Sequence, residues 1–399
     1  MKILLGNKFF YLNGGSERVF FQERDFLIGM GHDVIDFSMD DARNFKSPFA
    51  SFFVPKINYH DASGLWTKLH HGFSLVHSRV AVKKISQLID QEKPEIAHLH
   101  NIYHQLTPSI IPVLKKNGVK VVLTLHDCKL ICPSYLALKD TKICIECEGK
   151  YFFKPLMTNC QKSRMQALLL SLEAYWHKWR GSYDAVDMFL SPSKFLAGLV
   201  AKRIPAEKIA ILHNGIDCEE YEPNYTDNGY ALYFGRLSAE KGIETLLAAH
   251  GRMERHLPLK LVGTGPLAEK LSASHPAAEF LGYKSGQELK DIVANAAFVV
   301  VPSECYENCS MVVLESMAFG KPVIGSRIGG IPEQIEDDRT GFLFEAGNVE
   351  ELARKMDLLA GDQQLRIAMG QAGRKKLEVE YSLSGHCRQL VSIYEGLTE

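Results

Sequence analysis

Short apolar segments alternate with longer amphipathic segments along the whole chain. In the first 215 residues, the apolar segments are rich in β-branched residues and indicate strands, and stretches with helical spacing separate them. The predicted strands are Ile3–Leu5, Asp33–Phe37, Glu95–His100, Val119–Leu125, Met188–Ser191 and Ala210–His213. The predicted helices include one from Gly14 to Gly29 and one from about Leu65 to Gln91. This alternation is typical of a parallel sheet with helices on both faces.

The second half of the chain repeats the same order of elements. Its predicted strands are Tyr230–Tyr233, Leu259–Val262, Glu279–Leu281, Phe298–Val301 and Val323–Gly325, and its predicted helices include Glu240–His250, Gly286–Ala294 and Cys309–Phe319. The polar stretch Asp217–Asn228, which contains Pro223, indicates the join between the halves. We therefore predict an α/β protein with two Rossmann-like, doubly wound parallel-sheet domains, residues 1–216 and 217–383, and a terminal helix, residues 384–399. In such sheets, ligands bind where the carboxyl ends of the strands meet a cleft.

The composition is that of an ordinary soluble protein, with 46% apolar and 23% charged residues among 399. No run of 18 apolar residues indicates a transmembrane helix. The first residues, MKILLG, become polar too soon for a signal peptide and are expected to begin the first strand. We therefore expect a cytoplasmic protein.

Charge is divided unevenly between the two halves. Residues 1–200 carry 25 Lys and Arg against 18 Asp and Glu, whereas residues 201–399 carry 21 against 29. A basic first half favours an acidic acceptor or peripheral contact with an anionic membrane, here the inner membrane face, although charge scattered over solvated faces explains it equally well. Nucleic acid is not an expected partner.

The segment from residue 161 to residue 180 could either contact a membrane or an acceptor, or pack on its own domain. It combines Trp176 and Trp179 with several basic residues, which suits a membrane interface or an acidic or lipid-linked acceptor. The alternative, which we prefer slightly, is a helix that packs on the domain with its polar face in water.

Five of the nine cysteines are clustered: Cys128, Cys132, Cys144, Cys147 and Cys160. Disulfides are not expected in a protein without a secretory signal. Cys144 and Cys147, flanked by Cys132 and Cys160, have the residue types of a structural zinc site, although the flanking spacings are not diagnostic. A structural zinc and free thiols both stay open, and we favour free thiols. No catalytic metal is predicted.

Two glutamates stand eight residues apart around a predicted helix start. Glu307 lies in the loop after an apolar strand, and Glu315 lies within an apolar helix that ends at Gly320. A helix that begins near Asn308 would present free N–H groups to an anion. At 1.5 Å per residue, the two carboxylates would be separated by at most ~12 Å along the helix axis. That span suits the ribose and hexose ends of one nucleotide sugar.

Cations and glycines occupy the loops that follow other predicted strands. Arg236 and Lys241 follow the first strand of the second domain, where both side chains can reach a diphosphate. Gly263 and Gly265 form a turn after the next strand. Glycines there would either let a ligand approach the backbone closely or only allow the backbone to turn tightly. Near the N-terminus, the Gly14-Gly15 pair opens a helix and allows a similar approach to phosphate. His126 ends the strand Val119–Leu125 and is expected to point into the cleft.

These segments together resemble retaining glycosyltransferases of family 4, which have the GT-B architecture. The resemblance rests on the two glutamates, on Gly235-Arg236-Leu237 with Lys241-Gly242, on Gly263-Thr264-Gly265-Pro266, on Phe280-Leu281-Gly282-Tyr283, on His98-Leu99-His100-Asn101 and on Leu123-Thr124-Leu125-His126-Asp127. Matching segments run from residue 3 to about residue 345, which is most of the chain.

The resemblance implies a role for each matched residue. Arg236 and Lys241 would neutralise the leaving nucleoside diphosphate in place of a metal ion, so no cofactor would be required. Glu307 would hold the sugar, Glu315 the ribose, Tyr283 the nucleotide base, and His126 would lie against the transferred sugar. Gly14 and Gly15 would contact the donor phosphate and the acceptor, whereas His100 and Asn101 are candidates for acceptor contacts. The terminal helix would cross back to the first domain.

The chain departs from the family pattern after Glu307, where it has Asn308-Cys309-Ser310. The backbone amides of Cys309, Ser310 and Met311 are still expected to face the hexose and phosphate, with Val312 in the same donor-binding turn. The predicted function is a hexosyltransferase that uses a UDP- or GDP-sugar in cell-surface polysaccharide synthesis. The alternatives are a GT-B nucleotide-sugar epimerase and a nucleotide-sugar-binding protein without catalysis.

Overall fold

The computed structural model of this protein describes residues 1–56, 74–158, 160 and 163–399. A sheet of six parallel strands forms the centre of the first domain. From edge to edge its strands are Ile209–Ile211, Met188–Ser191, Lys120–Thr124, Ile96–Leu99, Lys2–Gly6 and Asp33–Phe37. The four inner strands are almost wholly buried, as expected for a parallel sheet that is covered on both faces.

Alternate residues of these strands face two separate apolar clusters. Leu4 belongs to one cluster, whereas its neighbours Ile3 and Leu5 belong to the other. The helices of the first domain are Gly15–Gly29, Arg79–Glu92, Ile110–Lys116, Lys154–Thr158, Arg164–Trp179 and Lys194–Val200. Of the predicted helix Leu65–Gln91, residues 65–73 lie outside the described residues.

The second domain has its own six-stranded parallel sheet. Its strands, in spatial order, are Ala278–Gly282, Leu259–Val262, Ala231–Phe234, Phe298–Val301, Val323–Ser326 and Gly341–Phe344. Its helices are Ile243–His250, Ala268–Ser274, Gly286–Ala294, Met311–Ala318, Ile331–Gln334, Val349–Gly361 and Gln363–Glu380. The architecture of two parallel-sheet domains is confirmed. Sequence analysis missed the edge strand Gly341–Phe344, because four apolar residues are too few to show a period.

Shorter elements complete the two domains. Two-residue strands pair as Met39–Asp40 with Val54–Pro55 and as Leu138–Lys139 with Lys142–Ile143. Single 3₁₀ turns occur at Ala50–Phe52, Ala206–Lys208, Cys218–Glu220 and Ala239–Lys241.

The terminal helix, Leu383–Thr398, packs on the first domain although it follows the second in sequence. Leu390 and Tyr394 enter the apolar cluster that contains Phe20. The chain reaches this position past Gly215, where a Cβ atom would stand 2.8 Å from the Cα of Leu383. Only glycine allows the linker and the start of the terminal helix to approach so closely.

The helix Arg164–Trp179 has its polar side turned inward. It buries Ser171, Glu173 and His177 against the first domain, and the Glu173 carboxylate accepts a hydrogen bond from Lys129 Nζ at 2.7 Å. The prediction of a helix with its polar face in water is therefore wrong, although Gln161 and Lys162 of that segment lie outside the described residues. No helix in the described part of the chain combines the length and the apolar run that a membrane crossing requires.

The buried histidine His177 makes the stability of the fold depend on pH. Burial lowers the pKa of His177 to about 4, whereas an unfolded histidine has a pKa of about 6.5. Between these values the unfolded chain binds a proton that the folded chain does not, so the free energy of unfolding falls as the pH falls. We expect His177→Gln to reduce this slope by up to ~1.4 kcal/mol per pH unit, measured by urea unfolding at a series of pH values.

The control for this experiment is His256→Gln, because His256 is exposed. It should leave the slope unchanged. Equal slopes for the His177→Gln variant and the unaltered protein would contradict the prediction.

Candidate functional site

A cleft of about 1040 Å³ lies between the carboxyl ends of the two sheets. Loops that follow strands of the second domain form one wall, and the start of the helix Gly15–Gly29 forms part of the other. The predicted site residues that line the cleft are Gly14, Gly15, Arg236, Lys241, Gly263, Gly265, Tyr283, Glu307, Ser310, Met311, Val312 and Glu315. The topology explains this convergence, because all strands of a parallel sheet end on the same side.

Arg236 and Lys241 lie on the wall formed by the second domain, which also carries Lys284 and Lys290. Arg236 is exposed, and its guanidinium forms no ion pair within the described residues. Lys241 Nζ lies 2.5 Å from Glu307 Oε1, which also accepts a hydrogen bond from Ser303 Oγ at 2.8 Å. Burial alone would lower the pKa of Lys241, but the Glu307 carboxylate outweighs it and raises the pKa above its usual range. Lys241 is therefore charged at neutral pH.

A tight turn brings Lys241 to Glu307. Lys241 ends the 3₁₀ turn Ala239–Lys241 rather than lying in the predicted helix Glu240–His250, which begins only at Ile243. Gly242 follows with a φ of 68°, and a Cβ atom there would stand 1.8 Å from the backbone oxygen of Pro302. The glycine thus lets this turn pack directly on the loop that leads to Glu307.

Glu315 is held from across the cleft by a residue that sequence analysis missed. Arg18, in the first helix, forms an ion pair with the Glu315 carboxylate through Nη1 and donates a hydrogen bond from Nη2 to Tyr221 Oη at 2.7 Å. Burial raises the pKa of Glu315, and Arg18 opposes that rise. The signal for Arg18 was its helical spacing from Gly14 and Gly15, which puts all three on one side of the first turn.

The helix after Glu307 starts later than its sequence predicts. It spans Met311–Ala318, with Ser310 in an extended conformation before it. The Ser310 amide donates to Gln334 Oε1 at 2.8 Å, and Cys309 is buried with its carbonyl bonded to Asn214. The Ser310 amide is therefore not free to bind a donor, which corrects that expectation.

The structure also corrects the expectations for His126 and His100. His126 is half-buried and outside the cleft lining, and its Nε2 lies 2.8 Å from Nδ1 of His100. His100 is fully buried, so its side chain cannot contact an acceptor. Asn101 is half-buried, and its amide donates to Asn7 Oδ1 at 3.1 Å. His100 therefore belongs to a supporting layer behind the cleft, whereas the bond of Asn101 is made by its backbone N–H and leaves its side chain uncommitted.

A buried carboxylate organises that layer. Glu23 lies 3.3 Å from ring nitrogens of His98 and His100 and 3.0 Å from Nε2 of His386 in the terminal helix. Burial disfavours ionisation of Glu23, but the surrounding histidines hold its pKa well below the usual range. His386 faces two acceptors, Glu23 and the His213 carbonyl, so both of its ring nitrogens donate and its pKa is raised. Nothing in the sequence linked Glu23 to these distant residues.

Within the described residues, the clustered cysteines do not bring three or more ligand atoms close enough together to hold a metal ion. Within the described residues, the group whose ligand atoms all lie within 4.8 Å of one another is Glu23, His98 and His100. Cys132 and Cys147 are buried, whereas Cys144 and Cys160 are half-buried. The choice between structural zinc and free thiols stays open.

Two family models match consecutive parts of the chain, from residue 13 to residue 376. The model described as glycosyltransferase family 4 matches residues 13–220, which is more than half of the chain, and the model described as glycosyl transferases group 1 matches residues 219–376. The chain belongs to glycosyltransferase family 4. It is therefore a transferase, and the resemblance inferred from the motifs is confirmed.

Curated relatives are also glycosyltransferases. The sulfoquinovosyl transferase of Arabidopsis thaliana is 32% identical over 224 residues, which are 51% of this chain and 43% of the plant protein. An uncharacterised glycosyltransferase of Methanocaldococcus jannaschii is 27% identical over 80% of both chains. This glycosyltransferase thus matches less than half the length of the plant relative.

Solved structures confirm the GT-B fold. HepE of Anabaena, solved in complex with UDP, has a TM-score of 0.70 at 16% identity, with 99% of this chain and 100% of that chain covered. Sucrose-phosphate synthase of Thermosynechococcus elongatus has a TM-score of 0.74 at 17% identity, with 99% and 98% covered. At this identity the likeness concerns the fold alone.

Close backbone packing beside the cleft predicts that Gly263 is essential to the fold of this glycosyltransferase. Gly263 has a φ of 133°, and a Cβ atom there would stand 1.9 Å from the backbone oxygen of Gly235. Gly282 also has a positive φ, 68°, but a Cβ atom there would meet no atom within 4 Å. We expect Gly263→Ala to lower the free energy of unfolding by about 3 kcal/mol or more, and Gly282→Ala by only about 1 kcal/mol.

Urea unfolding of the two variants checks this difference. The matched Gly282→Ala variant separates backbone collision from the cost of positive φ. Similar losses for both variants would show that the contact with Gly235 does not matter.

Proposed function

We propose that this glycosyltransferase moves a hexose from a nucleoside diphosphate sugar to a hydroxyl of a glycan or lipid-linked acceptor, with retention of configuration. The observation that carries the proposal is the meeting of two carboxylates and two cations, Glu307, Glu315, Arg236 and Lys241, in one cleft. A diphosphate needs cations, whereas ribose and hexose hydroxyls need acceptors. The cleft thus offers the right partner for each part of such a donor.

The names of relatives and neighbours support a sugar donor. One neighbour, HepE, is also solved in complex with UDP-glucose. One relative is a lipopolysaccharide 1,2-N-acetylglucosaminetransferase of Salmonella typhimurium, and another is an amylovoran biosynthesis glycosyltransferase of Erwinia amylovora. We therefore propose a UDP-sugar as the first donor to test and cell-surface polysaccharide synthesis as the pathway.

In the proposed reaction, the bond between the sugar C1 and the diphosphate breaks as the acceptor oxygen bonds to C1 on the same face. Negative charge grows on the departing diphosphate, and Arg236 and Lys241 stabilise it. The acceptor proton passes to an oxygen of the departing phosphate, so the step needs no protein nucleophile. Glu307 orients Lys241 and accepts hydrogen bonds from the sugar hydroxyls.

The ribose end of the proposed donor meets Glu315. Its carboxylate has more acceptor positions than Arg18 uses, so ribose hydroxyls can bond to it beside the arginine. Arg18 then fixes the orientation of Glu315 and adds a positive charge from the first domain to the cleft. Tyr283, which is largely exposed, lies at the rim, where a base can stack on it.

Removal of either proposed phosphate-binding cation should reduce turnover. We expect Arg236→Ala and Lys241→Ala each to lower kcat about 10²-fold or more, because the interaction strengthens as charge develops on the diphosphate. Radiolabelled sugar transfer to acceptor at saturating donor measures this effect. Lys270→Ala is the control, because Lys270 pairs with Glu244 on the exposed surface of the same domain. Transfer at a normal rate by both cleft variants would refute the assignment.

Donor identity is tested by thermal unfolding with UDP-, GDP-, ADP- and dTDP-sugars. A ligand that binds only the folded state raises the midpoint by mass action. We expect a UDP-sugar to give the largest shift and Glu315→Gln to reduce it, since a neutral amide is a weaker acceptor for ribose hydroxyls. Stabilisation without transfer to any acceptor would favour a binding protein, and release of free epimerised donor would favour an epimerase.

A further inference from the structure

The helix Arg164–Trp179 exposes a continuous apolar stripe on the first domain. The exposed apolar residues recur about once per turn, with Tyr175 and Trp176 as neighbours: Met165, Leu168, Leu172, Tyr175, Trp176 and Trp179. This spacing puts them on one side of the helix. Met165 and Trp179 at its ends are 64% and 76% exposed. A helix that packs only on its own domain would bury this side.

The polar side of the same helix is fixed inward, so the helix cannot roll to hide the stripe. Lys129 Nζ bonds to the Glu173 carboxylate at 2.7 Å, and both side chains are almost completely buried. His177 Nδ1 lies 3.0 Å from Ser182 Oγ on the same inner side. Rolling the helix would break a buried ion pair, which is strongly unfavourable. The exposed apolar side is therefore a stable feature of the fold.

The preceding segment extends this apolar surface. Helix Lys154–Thr158 packs against helix Arg164–Trp179, and the ring of Phe152 meets that of Tyr175 at 5.5 Å. Around that contact, Phe153 and Met157 are exposed. Contiguous exposed apolar surface of this kind marks an interaction site.

The charges around the stripe are positive. Residues 150–180 contain six Lys and Arg and one acid, Glu173, whose charge is already neutralised by Lys129. Arg164 and Arg180 stand at the two ends of the helix and are both exposed. Lys154 pairs with Glu146 at 3.8 Å, whereas Arg164, Lys178 and Arg180 form no ion pair within the described residues. The outer side thus combines aliphatic and aromatic side chains with three unpaired cations.

We propose that this surface, residues 151–157 and 164–180, docks the protein on an anionic lipid bilayer. Tryptophan rings and aliphatic side chains enter the headgroup region, and the flanking arginines contact lipid phosphates. A bilayer suits the surface better than a protein partner, because the stripe contains two tryptophans and its helix carries an exposed arginine at each end. The inference concerns binding alone and does not depend on the proposed reaction.

Lys129 connects this surface to the cleft side of the first domain. It follows His126 and Asp127 in the loop after the strand Lys120–Thr124, and it bonds to Glu173 in the docking helix. The bilayer would therefore lie near the loops at the carboxyl end of the first sheet.

Co-sedimentation of the full chain with vesicles tests the proposal. Two vesicle types are compared, phosphatidylcholine alone and phosphatidylcholine mixed with phosphatidylglycerol. We expect the protein to pellet with the mixed vesicles only, and less at high salt. Met165→Gln/Trp179→Gln should abolish pelleting, and Arg164→Gln/Arg180→Gln should weaken it by about fivefold for each cation removed.

The matched control is Leu358→Gln/Val379→Gln, which removes two exposed apolar residues, 51% and 75% exposed, from the second domain. This variant should pellet like the unaltered protein, and thermal unfolding should show that all three variants remain folded. Failure to pellet with either vesicle, or equal pelleting of the control and the Met165/Trp179 variant, would overturn the proposal. So would a dimer in light scattering that the Met165/Trp179 variant abolishes in the absence of lipid binding, since that result assigns the surface to a second copy of the chain.

Discussion

The site depends on polar contacts that hold two separate apolar cores face to face. Each domain buries its own clusters, and side chains at the loop ends bridge the gap between them. Arg18 pairs with Glu315, and Glu333 of the second domain accepts hydrogen bonds from the amides of Lys194 and Phe195 at the start of a helix in the first. A carboxylate is favoured at that position by the unpaired N–H groups of the helix end. Tyr306 of the second domain adds an apolar contact, since its ring lies 4.6 Å from that of Phe195 and packs on clusters of both domains.

Buried charges behind the cleft are paired with charges of opposite sign. A charge is retained where a partner of opposite sign lies in contact, as with Lys129 and Glu173 or Glu23 and His386. Burial lowers the pKa of His126 to about 3, and burial also lowers the pKa of His98, although Glu23 lies 3.3 Å from its ring. His126 therefore acts as a neutral hydrogen-bonding group beside the cleft. Glu23 ties this layer to the terminal helix, so docking of that helix and orientation of His100 depend on one carboxylate.

Much of the fold could be read from periodicity, and the reasons for the failures are physical. Strands such as Met188–Ser191 and Leu259–Val262 were predicted to the residue, because buried parallel strands are short and mostly apolar. The cleft residues were predicted from their positions directly after these strands, because the carboxyl ends of parallel strands meet at one edge of a sheet. Sequence could not reveal which residues Arg18 and Glu23 contact, because their partners Glu315 and His386 lie about three hundred or more positions away. It also misjudged helix Arg164–Trp179, because apolar spacing identifies one side of a helix but not whether that side faces the core.

The departure from the family pattern at Asn308 now has a structural explanation. Its Nδ2 donates a hydrogen bond to the backbone oxygen of His126 at 2.6 Å, so the side chain links the two domains. The backbone of Asn308 lies against Gly330, where a Cβ atom would stand only 1.8 Å from the Asn308 oxygen. The residue after Glu307 is thus fixed from both sides, by the first domain and by the next loop of its own domain. Its side chain is engaged between the domains, so in the proposed reaction Glu307 rather than Asn308 would contact the sugar. A change at Asn308 would act on sugar transfer through the spacing of the two domains rather than through direct contact with the hexose.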